Sequence, residues 1–282
     1  MSSSSHLRTG PVAEWKFLNS GFHSGAHNMH VDQLLANRMV EQGGPPTLRL
    51  YGWDPHAISI GYNQRRHDLD ETKCLVQGID IVRRPTGGRA ILHADELTYS
   101  VVMYAEGKSI SQIYCDISKA LVRGLRTIGA DVEYSAVQPD FPHLYRNQNS
   151  IPCFASSARY EIQYRGRKLV GSAQRRYASP DGDEVALQHG SILLGPAHKK
   201  LSELVQAESE ELSTSIRRGL EIKTIELSSI LGRNVSFDEV AVAVKGGFEN
   251  EWNIVFNDDH FDESNLESDF SYNISSNEKV AQ

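Results

Sequence analysis

The chain has 282 residues, 39% of them hydrophobic and 23% charged, with a formal net charge of −7. That is enough apolar material to bury a core without disulfides or metal, and no apolar run approaches the roughly 20 residues of a membrane span. Three widely spaced cysteines, Cys74, Cys115 and Cys153, fit neither a disulfide framework nor a zinc site, so a reducing, cytoplasmic setting is expected.

The first 13 residues lack the apolar core of a secretory signal and read as a flexible terminus. Residues 14–18 read as a strand. Residues 26–40 place Met29, Leu34, Leu35 and Met39 near helical spacing, and Gly-Gly-Pro-Pro at 43–46 ends that helix. Strands follow at 47–53 and 57–62 around an Asp54-Pro55 turn, and another at 97–104. The clearest helix spans 109–129. Ile110, Ile113, Tyr114, Ile117, Leu121, Leu125 and Ile128 form its apolar face, Ser109 its N-cap and Gly129 its stop. Cys115 lies beside that face and, like Cys74, reads as a small core or boundary residue.

Residues 159–176 read as strand, Arg-Gly turn, strand, and 184–194 as a third strand that could complete a meander. Beyond 198 the pattern is helical. Strands and helices mix without strict alternation, so an α+β fold around a mixed, largely antiparallel sheet packed with helices is expected. One domain over 14–250 is expected to carry it. Residues 251–282 hold eight acids against Lys279, which leaves 1–250 neutral. The tail is expected to be disordered, and the neutral body gives no reason to expect nucleic-acid binding.

Residues 83–102, RRPTGGRAILHADELTYSVV, hold a glycine pair beside arginines. A Walker loop would need Gly-Lys-Ser/Thr opening a helix, and a dinucleotide loop a third glycine and a helix; Gly87 and Gly88 lead instead to Arg89 and an apolar strand. They form either a plain turn or a place where a ligand meets bare backbone. His93 and His189 lack metal-pair spacing and read equally as hydrogen-bonded structural residues. Cys153 lies in the loop NSIPCFASSARY, and Lys168 follows a Gly166 turn. A hairpin return would bring that ammonium beside the thiol and favour thiolate; a solvated edge lysine is the plainer reading.

Five ordered stretches, 21–35, 48–64, 83–101, 166–176 and 187–194, together resemble the biotin/lipoate A/B protein ligase family over roughly 14–250. The resemblance implies the catalytic-domain fold shared with biotin protein ligase. The family's ATP-dependent ligases typically carry a third glycine after the pair and an Asn-rich segment after the histidine. Here stand Arg89 and the stretch 96–100, ELTYS, with a cysteine before the lysine strand. In this the chain is similar to the cysteine-dependent octanoyltransferases.

That similarity implies octanoyl transfer from acyl carrier protein to a lysine of a lipoyl domain, expected to be the glycine-cleavage H protein. Cys153 would form an acyl-thioester. Lys168 would stabilise the thiolate, polarise the acyl carbonyl or help deprotonate the acceptor. No cofactor, metal, nucleic acid or membrane is called for. Arg84 and Thr86 would rim the acyl pocket, Gly87 and Gly88 floor it, and His93, Gly171, Ser172, Ala173, His189 and Gly190 wall it. The rivals are an ATP-dependent lipoate–protein ligase, an amidotransferase between lipoyl domains, and a non-catalytic carrier-binding protein.

Overall fold

Strand alternation sorts the side chains onto two faces of one large sheet, seen in a computed structural model that describes residues 13–134, 161–180, 182–206 and 210–257. In chain order the strands are β1 (Ala13–His23), β2 (Thr47–Trp53), β3 (Ala57–Ile60), β4 (Asp80–Arg83), β5 (Ile91–His93), β6 (Glu96–Tyr104), β7 (Glu133–Tyr134), β8 (Ile162–Tyr164), β9 (Arg167–Ala178), β10 (Glu184–Leu193) and β11 (Ile254–Asn257). The large sheet has the order β11-β1-β2-β6-β10-β9-β8-β7, and a small sheet the order β4-β3-β5. β11, β1 and β2 run parallel; from β2 onward each neighbour is antiparallel. The sheet is mixed and largely antiparallel, as expected, and β8, β9 and β10 form the meander.

The helices are α1 (Gly25–Gln42), α2 (Glu71–Val76), α3 (Ile110–Thr127), α4 (Leu201–Leu204), α5 (Glu210–Lys223), α6 (Leu227–Leu231) and α7 (Phe237–Trp252). Ser109 caps α3: its hydroxyl accepts from the Gln112 amide, and the Gln112 side chain accepts from the Ser109 amide. Gly129, at φ 91°, follows its end. Ile113, Ile117, Leu121 and Leu125 bury the helix in the core with Leu97, Tyr99 and Val101 of β6. Ile110 departs from the expected face; as the first helical residue it is 57% exposed. α3 and α7 meet backbone to backbone: a methyl on Gly124 would stand 2.3 Å from the Ala243 carbonyl oxygen, and one on Gly247 2.4 Å from that of Ala120.

α1 lies on the other face. Val31, Leu35, Ala36 and Met39 pack there with Val102, Val185 and Leu187. The small sheet continues that layer through Ala57, which packs with Met29, Tyr51 and Trp53. The folded body runs past the expected boundary at 250: α7 continues to Trp252, and Ile254 pairs with Ala13 at the sheet edge. Of the expected terminus 1–13, Ala13 belongs to β1; residues 1–12, the acidic residues 258–282 and the Cys153 loop lie outside the described residues. Among the described residues no helix is long and apolar enough to cross a membrane.

Candidate active site

Between the large sheet and its α1 layer runs a narrow slot. Tyr51, Trp53, Thr98, His189 and Ser191 reach it from β2, β6 and β10, and Met29, Ser59, Ile91 and His93 from the opposite layer. Register places Gly171 opposite Ser191 and Ala173 opposite His189, so small residues leave the space beside them open. Ser172 and Gly190 pair with each other and also line the slot. The Ser172 hydroxyl lies instead 2.7 Å from that of Tyr99. Burial pushes the Tyr99 phenol up to about 12, against its bonds to Ser172 and Gln188. The free volume of the slot is about 20 Å³, room for about one water. A ligand larger than that would have to push the walls apart.

A buried polar cluster anchors one side. Arg49 donates to the Asp32 carboxylate at 2.8 Å, with neither side chain exposed. The Tyr51 hydroxyl donates to Asp32 Oδ2 at 2.9 Å, and His189 Nδ1 lies 2.9 Å from the same oxygen. Burial alone would raise the Asp32 carboxyl, but its bond to His189 and the Arg49 guanidinium outweigh that and hold it below the usual carboxylate range. An ionised carboxylate only accepts, so Nδ1 of His189 carries a proton. In the neutral ring, Nε2 then accepts from Thr86 Oγ1 at 2.7 Å. Burial, with the negative Asp32 beside it, keeps Tyr51 protonated.

His93 anchors the other side. Its Nδ1 lies 2.8 Å from Glu96 Oε1 and its Nε2 2.7 Å from Ser59 Oγ. The ring stacks on Trp53 at 3.9 Å. The Trp53 indole donates to Thr98 Oγ1, which donates to Glu96. These bonds tie the polar atoms of the lining residues to one another along the walls.

Residues 84–89 close back on themselves. The Arg84 guanidinium donates to the carbonyls of Ser59, Gly87 and Arg89. Arg84 lines the slot, and Thr86 touches it through His189. Gly87 and Gly88 do not floor the slot as expected; both are exposed at the tip of the turn. The physical reason is a backbone contact. A methyl on Gly61 would stand 1.9 Å from the Gly88 carbonyl oxygen, and Gly88 takes φ 99°. The Gly88 carbonyl, rather than a ligand, fills the room that Gly61 leaves, and the space beside Gly87 is open.

Lys168 lies on β9, three residues before Gly171, and is buried. Its Nζ donates to Glu161 Oε1 at 2.5 Å. Cys153, the other half of the expected pair, falls outside the described residues. Of the remaining cysteines, Cys74 is buried and its thiol is pushed up by that burial, which makes it a poor nucleophile. Asp32, Arg49, Tyr51, Trp53, Glu96 and Glu161 were not singled out by spacing. Asp32 and His189 stand 157 positions apart, too far for any local pattern.

The lipoyl protein ligase A/B catalytic domain family matches residues 24–249. The octanoyltransferase LipM of Kyrpidia tusciae is 39% identical over 83% of this chain and 85% of that protein. LipM of Bacillus subtilis is 35% identical over 85% and 87%. Among solved structures, a bipartite lipoate protein ligase from Thermoplasma acidophilum superposes with a TM-score of 0.70 at 22% identity, covering 88% of this chain and 87% of that one. Lipoate-protein ligase A bound with ATP gives 0.69 at 22% identity, covering 87% and 88%. The two structures speak for the fold alone. With that fold, and with a family match that takes in the slot and its buried anchors, the chain belongs to the lipoyl protein ligase A/B catalytic domain family.

Proposed function

We propose that this protein is an acyltransferase that moves an octanoyl group onto a lysine of a lipoyl domain, in protein lipoylation. The observation that carries the reading is its 35% and 39% identity to octanoyltransferases over most of both chains. The donor is octanoyl-acyl carrier protein, the acceptor the glycine-cleavage H protein, and the setting the cytoplasm. A slot lined by aromatic and small residues suits an unbranched alkyl chain.

Transfer runs in two steps. The Cys153 thiolate attacks the thioester carbonyl, and the carrier thiol leaves as thiolate and takes up a proton. The acceptor amine, having given one proton to solvent, attacks the Cys153 thioester. The amide forms, Cys153 leaves as thiolate, and the second amine proton goes to solvent. Lys168, held by Glu161, offers an ammonium to the anionic sulfur and to the oxyanion of each tetrahedral intermediate. Arg84, Thr86, His93 and His189, with the small residues Gly171, Ser172, Ala173 and Gly190, bind the chain. Thioester to amide is downhill, so no nucleotide is consumed.

The test is octanoyl-acyl carrier protein with a lipoyl domain and no ATP. Amide formation supports the reading. Transfer only from free acid with ATP would make the protein a ligase, and transfer only from another octanoylated lipoyl domain an amidotransferase.

A further inference from the structure

The two turns at the edge of the slot form one basic face. Residues 61–67 and 83–94 contain Arg65, Arg66, Arg83, Arg84 and Arg89 and no Asp or Glu, with Asp68, Asp70 and Glu71 following the first turn and Asp95 the second. The Gly61–Gly88 contact presses the turns together. Arg83 fixes the first turn by donating to the carbonyls of Gly61, Tyr62 and Gln64 at 2.9, 2.8 and 2.8 Å. Arg175, two residues beyond the slot residue Ala173, donates to the Pro85 carbonyl and stacks over Tyr62 at 5.3 Å. Tyr62 itself is 56% exposed. Among the described residues, Arg65, Arg83 and Arg175 pair with no carboxylate, and Arg66 meets only Glu71, an exposed pair at 3.1 Å. The body of the chain is close to neutral, so the arginines, which outnumber the neighbouring Asp68, Asp70 and Glu71, are a local excess of positive charge beside the slot.

We infer that the face formed by Arg65, Arg66, Arg83 and Arg175 around Tyr62 docks the acidic surface of the carrier protein that delivers the acyl thioester. The inference rests on the donor named above. Charge complementarity is the argument for that occupant: a field of one sign steers an oppositely charged partner and raises its association rate. The face borders Arg84 and Thr86, so a carrier seated on it presents its acyl arm at the slot.

The experiment compares the full-length wild type with Arg65→Glu/Arg66→Glu and with a distant reversal of equal charge, Lys119→Glu/Arg123→Glu on α3, across the large sheet. Octanoyl adduct formation on Cys153 is timed with octanoyl-acyl carrier protein, and separately with octanoyl-N-acetylcysteamine, a small thioester without a carrier. In the first variant kcat/KM with the carrier is expected to fall about tenfold or more at low salt, with the difference shrinking as salt rises. The small thioester should react at the wild-type rate, and the distant reversal should leave both donors unaffected. An unchanged carrier rate in the first variant, or an equal loss with the small thioester, overturns the inference. So does a loss confined to discharge onto the lipoyl domain. Carrier rates that rise on deleting residues 258–282 only while the arginines are present would give the face to the acidic tail and also overturn it. A wild type that forms no adduct with either donor would instead sink the transferase reading.

Discussion

Glu161 holds Lys168: Oε1 accepts from Nζ at 2.5 Å, and each side chain is 7% exposed. Removing one partner of a buried ion pair costs about 3–5 kcal/mol. Glu161→Ala should therefore lower unfolding free energy in urea by about that amount. Lys168→Met is expected to cut octanoyl transfer at least about 100-fold, the scale of losing one donor to an oxyanion. Transfer rates, measured with circular dichroism confirming the fold, check it; a Lys168→Met enzyme near wild-type rate would remove Lys168 from the chemistry.

Asp32→Asn keeps the shape of the carboxylate and removes its charge. Arg49 would then be a guanidinium buried without its ion-pair partner, at a cost of about 3–5 kcal/mol. Asn keeps a single acceptor oxygen, so either Arg49 or the Tyr51–His189 pair would face an amide N–H where an oxygen stood. A large drop in the urea midpoint is expected; an unchanged midpoint would mean that the cluster does not hold the slot together.

Local signals read the regular elements well. β2 starts and ends where the apolar run does, and α3 carries its own cap in Ser109 and its stop in Gly129. β11 had no such signal, because four residues between a helix and an acidic tail gain meaning only from β1 beside them. The same holds at the site. The family resemblance pointed to a pocket wall at 171–173 and His189, yet Asp32, Arg49 and Glu161 acquire their roles only through partners distant in sequence or across a turn. The glycine pair misled for a related reason: the position that needs a bare backbone is Gly61, pressed against the Gly88 carbonyl, and no local pattern marks it.

That correction can be tested by one methyl group. Gly61→Ala would meet the Gly88 carbonyl at 1.9 Å, whereas a methyl on Gly87 has nothing within 4 Å. Gly61→Ala should displace Arg84 and Thr86 and cost about tenfold or more in transfer, since small misplacements near a reacting group are expensive. Gly87→Ala should remain active. The reverse result would restore the glycines as a pocket floor.

His198 makes stability depend on pH. Burial, helped by Lys199, lowers its pKa from 6.5 to about 4. The unfolded chain therefore binds a proton before the folded one does. The contribution is fully present above about pH 6.5, falls as the pH drops toward 4, and is level below that. At pH 5 the loss is about 2 kcal/mol. His27 is lowered to about 4 as well, by partial burial and by the neighbouring His23 and Arg49, so the full profile has more than one source. Urea unfolding at pH 7.5 and pH 5 should show a smaller difference in His198→Asn than in wild type; equal differences would exclude His198 as a cause.

The most direct measurement is intact-protein mass spectrometry after mixing with octanoyl-acyl carrier protein, first without and then with a lipoyl domain. Wild type is expected to gain one octanoyl group on Cys153 and to lose it when the acceptor is added, while Cys153→Ser gains none and transfers none. Full transfer by Cys153→Ser, or a wild type that transfers without ever carrying the adduct, would contradict the thioester mechanism.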